Sequence, residues 1–222
     1  MIVADRKPFD EIIKMLAPYS NILVLGCNEC VTVCAVGGAK EVAILASQIR
    51  MRRMTDGVKT KVDEKTLERQ CDTEYLEELK DVIGSYDAVL SLACGCGVQF
   101  LGERYIDTPV LPGVNTTFMG VTEKQGFWTE RCQGCGNCVL DRTMGICPVT
   151  RCAKSIFNGP CGGSWGGKCE IDKDLPCAWH LIIERYKERG RMDAFMEILP
   201  PKDWSTARDG GPRKRHREDM EI

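Results

Sequence analysis

Fourteen cysteines, gathered in tight bunches, limit what this 222-residue sequence can fold into. The bunches are Cys27, Cys30 and Cys34; then Cys94 and Cys96; then Cys132, Cys135, Cys138, Cys147, Cys152, Cys161, Cys169 and Cys177, with Cys71 alone. The opening Met1-Ile-Val-Ala-Asp-Arg-Lys-Pro is charged and lacks an apolar run, so a cytosolic chain is expected. The cytosol keeps thiols reduced, which argues against a disulfide framework. Core thiols would be scattered through apolar strands. Bunched thiols at short spacings read as metal ligands.

Histidine contributes little to any metal site. Of the 2 histidines, His216 lies in a charged tail and His180 in an apolar helical stretch, where it reads as a packing residue. The choice is therefore between all-thiolate zinc and iron–sulfur. A structural zinc site takes four ligands, usually as two separated pairs. Cys132-Gln-Gly-Cys135-Gly-Asn-Cys138 instead offers three thiolates in one short loop, with Gly134 and Gly136 letting the chain wrap tightly. Cys147-Pro148 resembles the end of a ferredoxin run, although its spacing is longer than usual. The spacing favours iron–sulfur, with zinc as the alternative. Cys147, Cys152, Cys161 and Cys169 are the candidates to complete this set or to form a second one. Cys177, at the start of a helix, reads as a packed thiol.

The first half alternates strands with helices. Helices are expected at residues 8–18, 39–54 and 73–83, the last capped by Thr73. Strands are expected at 21–26, 58–62 and 86–92, with a short fourth at Pro109-Val-Leu. This order predicts an α/β fold, a small doubly wound (Rossmann- or flavodoxin-like) domain over residues 1–122. Ligands of such sheets collect at the carboxyl ends of the strands. Cys27 follows the first sheet strand, Cys94 and Cys96 follow the third, and Cys71 lies before the helix after the second. The expectation is a metal site of Cys27, Cys30 and Cys34 joined by Cys94 or Cys71. A phosphate-binding turn fits poorly, since Gly26-Cys-Asn-Glu-Cys is not G-x-G-x-x-G and Glu29 would repel phosphate.

Residues 123–200 are expected to form an irregular cysteine-rich domain closed by a helix over 175–191. Between Glu130 and Cys177 there are eight cysteines, eight glycines and only ten large apolar residues. Such a segment cannot offset its ordering entropy by burial alone, so metal is expected to staple it. The glycine-rich stretch 158–169 reads as a loop packed closely against a cluster or a partner's cofactor. Residues 201–222 read as a solvated polar tail. No apolar run approaches the ~18 residues that would span a bilayer. A net charge of −2 gives no reason to expect nucleic acid. No nucleophile–base arrangement suggests hydrolysis.

The run Cys132-Gln-Gly-Cys-Gly-Asn-Cys, with Gly145-Ile-Cys-Pro-Val-Thr-Arg-Cys-Ala-Lys154 and Asn158-Gly-Pro-Cys-Gly-Gly163, resembles the methylenetetrahydrofolate reductase C-terminal domain family. This is the type of the MetV small subunit of acetogenic bacteria. Gly26-Cys-Asn-Glu-Cys-Val-Thr-Val-Cys-Ala-Val-Gly-Gly and Ser91-Leu-Ala-Cys-Gly-Cys-Gly-Val-Gln99 look like its other motifs, although a small residue is expected in place of Cys96. The resemblance implies a cytosolic iron–sulfur subunit of the Wood–Ljungdahl pathway, carrying two 4Fe-4S clusters, or three. It would exchange electrons with the flavin of a barrel-shaped catalytic subunit that reduces methylene- to methyltetrahydrofolate. Further electron-donor subunits belong to the same expectation. A (β/α)8 barrel needs eight strand–helix repeats, which this chain lacks, so it would be the accessory and not the barrel.

Overall fold

The computed structural model describes residues 1–208 and 211–220. It divides into unit 1, Met1–Trp128, and unit 2, Thr129–Ile222. The fold is mixed α/β.

Unit 1 begins with β1 (Ile2–Arg6) and α1 (Phe9–Leu16), then β2 (Asn21–Cys27), a one-turn helix α2 (Cys30–Val33), α3 (Ala39–Thr55) and β3 (Lys61–Leu67). After α4 (Thr73–Leu76) and two 3₁₀ turns come β4 (Ala88–Ser91), α5 (Gly95–Arg104), β5 (Val110–Pro112), β6 (Val114–Lys124) and β7 (Phe127–Cys132). Four strands form a parallel sheet in the order β3-β2-β4-β5. The chain leaves β2 in one direction for β3, then returns across it to β4. The reversal makes the space beyond the carboxyl ends of β2 and β4 a topological switch point.

Period-two alternation along β2 builds both layers of the core. Ile22 and Val24 pack with Ile12 and Leu16 of α1 and with Val42, Leu45 and Ile49 of α3. Leu23 and Leu25 face the other way, toward Leu76, Leu79, Ile83 and Leu101. A second sheet, in the order β1-β6-β7, has β1 antiparallel to β6.

Several local expectations differ from the structure for identifiable reasons. The strand expected at 58–62 runs instead over Lys61–Leu67. It is an edge strand and carries charges that pair, Lys61 with Asp63 and Lys65 with Glu78, so it lacks the apolar run that marks a central strand. The helix expected at 73–83 breaks into α4 and 3₁₀ turns, and its cap is Asp72, whose carboxylate accepts from the Glu74 N–H at 3.2 Å. β1, β6, β7 and α5 were not expected. Gly95 and Gly97 weaken the helical signal of α5, and packing supplies what propensity does not.

Unit 2 holds a 3₁₀ turn (Leu140–Thr143), then α6 (Pro148–Arg151), α7 (Ala178–Glu188) and α8 (Met192–Phe195). Its core is small: Met144, Ile146, Ala178, Trp179, Ile182 and Tyr186 are the buried members. Side chains of α7 tie down the irregular chain before it. Trp179 Nε1 donates to Ile156 O (2.8 Å), Arg185 to Met144 O (2.7 Å) and the Tyr186 hydroxyl to Arg142 O (2.8 Å).

Candidate metal centres

In unit 1 the loops after β2, β3 and β4 are bound to one another before any thiol is considered. Asn28 N donates to Leu67 O (2.9 Å) and Leu92 N to Leu25 O (2.8 Å). Gln70, fully buried, is the hub. Its amide nitrogen donates to the carbonyls of Leu25 (3.0 Å) and Gly26 (2.9 Å), while its oxygen accepts from the Ser91 hydroxyl (2.6 Å). Ser91 Oγ in turn accepts from Ala93 N at 3.2 Å. Gly97 lies against this hub, since a Cβ there would sit 2.8 Å from Ala93 Cβ and 2.9 Å from Gln70 Cβ. Cys71, Cys94 and Cys96 are the immediate chain neighbours of Gln70, Ala93 and Gly97.

The thiols of this edge act on one another. Burial raises the pKa of Cys27, and Cys71 and Cys94 oppose its ionisation further. Burial also raises Cys71, with Cys94 adding to it. For Cys96 burial comes first, followed by Cys94, with which it also hydrogen-bonds, then Cys71 and Cys30.

Cys34 is buried, its sulfur 3.7 Å from the Ile2 carbonyl of β1; burial is the main cause of its raised pKa, and Cys30, with which sequence spacing groups it, adds to the rise.

Unit 2 contains two further thiol groups. In the first, Gly134 N donates to Cys132 Sγ (3.3 Å), and Cys135 Sγ to Asn137 O (3.7 Å). Residues read as tail clamp this loop. Thr206 Oγ1 donates to Cys135 O (2.9 Å), Arg213 to the carbonyls of Gly134 (2.5 Å) and Thr206 (2.8 Å), and the buried Lys202 to Asn137 O. Gly136, at φ 82°, leaves no room for a side chain, because a Cβ would sit 2.6 Å from Thr206 O. Cys138 is exposed at the end of the same loop. Cys147 precedes α6, its thiol 3.6 Å from Thr150 Oγ1.

The second group is Cys152, Cys161, Cys169 and Cys177, all lining one small cavity beside Trp179. Two backbone bonds shape it: Cys169 N to Leu175 O (2.9 Å) and Cys177 N to Gly167 O (2.8 Å). Trp165 and Lys168 exchange backbone bonds at the tip of the hairpin. Gly163 N donates to Cys161 Sγ (3.4 Å), as Gly134 N does to Cys132. Cys177 thus shares a cavity with three candidate ligands, which its position before a helix did not disclose. His180 packs against Gly167, where a Cβ would lie 3.0 Å from its ring.

Among the described residues, no three Cys, His, Asp or Glu side chains are already drawn around a point that one metal ion could occupy. A metal bound at these thiols would have to draw them in. The donor set fits thiolate-held zinc or iron–sulfur, with amides at hand to bond the sulfurs. Among the described residues no helix is long and apolar enough to cross a membrane.

Fold and thiol groups together define a two-unit α/β protein rich in grouped, unpaired cysteines. Residues 111–205 match the family described as methylene-tetrahydrofolate reductase C terminal. The matched stretch includes all eight cysteines from Cys132 to Cys177. No curated protein and no solved structure matches the chain.

Proposed function

We propose that this chain is a cytoplasmic iron–sulfur subunit, of the MetV type, in a methylenetetrahydrofolate reductase complex. It relays electrons to or from the flavin of a catalytic partner subunit, with further electron-donor subunits upstream. The observation that carries this reading is the family match itself, which spans the whole thiol-bearing part of unit 2. The parallel sheet of unit 1 has four strands, half of what a (β/α)8 reductase barrel requires, which supports giving folate reduction to a partner.

This chain's own residues would do three things. Cys132, Cys135 and Cys138, with Cys147 as the nearest following thiol in sequence, would supply one set of thiolates. Cys152, Cys161, Cys169 and Cys177 would supply another. The N–H groups of Gly134 and Gly163, already aimed at thiol sulfurs, would donate to the sulfurs of bound ligands. A bound 4Fe-4S cluster supplies a one-electron couple whose potential follows from these hydrogen bonds and from burial.

A second reading is a structural zinc subunit of the same complex. It is favoured by the cavity that Cys152, Cys161, Cys169 and Cys177 all line, since four thiolates drawn together there would make a tetrahedral zinc set. Anaerobic purification with iron, sulfide, zinc and flavin measured per chain separates the two, together with electron paramagnetic resonance after reduction. Iron and sulfide with a reducible signal and no stoichiometric flavin are expected. Zinc without iron, in a chain silent to reduction, overturns the electron-transfer reading.

A further inference from the structure

We infer that Lys202, Thr206 and Arg213 are positioning residues for the Cys132–Cys138 loop. They hold its carbonyls to themselves, so that its N–H groups are left to donate to the anionic group its thiolates would carry. This role deepens the proposed function and takes from it only the identity of that group. Thr206 and Arg213 lie beyond the end of the family match.

The strap is itself anchored. Lys202 and Ala207 are buried. The Lys202 ammonium lies 5.1 Å from the centre of the Trp204 ring, and Trp204 meets Phe157 edge to face at 6.4 Å. A buried ammonium requires a polar partner, and Asn137 O is that partner. Arg213 donates to Thr206 O (2.8 Å) as well as to the loop, which ties the strap to itself.

The geometry of the peptide unit turns this clamp into an orienting device. None of the described peptide bonds is cis. A trans peptide points its carbonyl and the next residue's N–H in opposite directions. Arg213 takes the carbonyl of Gly134, Thr206 Oγ1 that of Cys135, and Lys202 that of Asn137. The N–H groups of Cys135, Gly136 and Cys138 therefore point away from those partners. Among the described residues, none of these N–H groups has an acceptor. Gly134 and Gly136 flank Cys135 at φ 62° and 82°, and turns of this kind gather successive N–H groups into an anion-binding hollow. The loop at Cys161 offers a contrast. Gly163 N donates to Cys161 Sγ, as Gly134 N does to Cys132, yet among the described residues no bond from 202–213 reaches it.

The test uses the full-length chain purified without oxygen. Thr206→Val removes the hydroxyl at nearly constant size and with no change of charge, whereas Thr206→Ser keeps it. Circular dichroism matching the parent chain confirms that both have folded. Each chain is challenged with a chelator and pulsed with iodoacetamide, and peptide mass spectrometry follows each cysteine as its metal leaves, whether iron or zinc. Thr206→Val is expected to speed alkylation of Cys132, Cys135 and Cys138 about two- to tenfold, the factor that one hydrogen bond is worth. Cys161 should not change, and Thr206→Ser should keep the parent rates. A redox titration supplies the second readout. N–H donation to sulfur favours the more negative state, so Thr206→Val should move one component of the resonance spectrum to a more negative midpoint, and Thr206→Ser should not. Parent rates in Thr206→Val overturn the strap, as does a rise shared by Cys161. A midpoint unmoved in Thr206→Val overturns the aiming of the N–H groups. Failure of the electron-transfer reading is distinct: the parent chain then shows no reducible signal, and the alkylation rates still decide the role of Thr206. Immediate alkylation of the loop in the parent chain, with or without chelator, overturns both.

Discussion

Gln70 shows how one side chain fixes a site it does not belong to. Fully buried, it satisfies two strand-end carbonyls and the Ser91 hydroxyl. Gln70→Met keeps the volume but takes the acceptor from the buried Ser91 hydroxyl and a donor from the Leu25 and Gly26 carbonyls, and a buried polar group left without a partner costs about 1–3 kcal/mol. A fall of that size is expected in the unfolding free energy from denaturant titration; an unchanged midpoint would remove Gln70 from the scaffold. Asp87 offers a pH-dependent counterpart. Its carboxylate accepts from Ser20 N (2.9 Å) and Asn21 N (2.8 Å), which holds its pKa below the usual range. A depressed folded-state pKa adds stability above the ordinary carboxylate pKa and loses it as pH falls through the lowered value. Asp87→Asn is therefore expected to lower Tm near neutrality, with the gap closing in acid. A gap that persists in acid would assign the effect to something other than ionisation.

At the scale of the element, α5 sets propensity against packing. Alanine is favoured over glycine within a helix by about 1 kcal/mol, so Gly97→Ala should stabilise α5 taken alone. In the folded unit the new Cβ would press on Ala93 and Gln70 at 2.8 and 2.9 Å, and neither contact atom is the free end of a flexible chain. Overpacking of this kind costs about 1–3 kcal/mol, and packing wins. Net destabilisation in a thermal melt is expected; a raised Tm would mean that α5 can move away from its hub. In α3 no such competition exists. Leu45 is fully buried between α3 and the sheet, and Leu45→Ala is expected to cost about 2–5 kcal/mol by denaturant titration.

Over the whole molecule the two units differ in what holds them. Unit 1 has a layered apolar core on both faces of its sheet. Unit 2 has one small buried cluster around Trp179 and Ile182 and ties much of its remaining chain through backbone bonds around cysteines. Stripping metal with a chelator under reducing conditions should therefore leave unit 1 protected against amide hydrogen exchange while unit 2 exchanges rapidly. Equal protection before and after stripping would show that metal is not the staple of unit 2.

Much of this was legible along the chain. Strand–helix alternation with β2, α3 and β4 as its clearest members, the carboxyl-edge location of Cys27, Cys71 and Cys94, and the glycine turn at Cys132–Cys138 are local patterns, written by side-chain period and backbone freedom within a few residues. Other features depend on residues far apart in sequence that only folding brings together. Gln70 reaches back to Leu25 and Ser91, Cys34 turns to Ile2, Cys177 joins Cys152 across a hairpin, and Thr206 and Arg213 return to the Cys135 loop. The sequence determined which thiols exist and which loops carry them, because spacing is a covalent property. Which thiols meet was decided by tertiary packing, because a side chain's neighbours depend on the register and crossing of elements that no local pattern encodes.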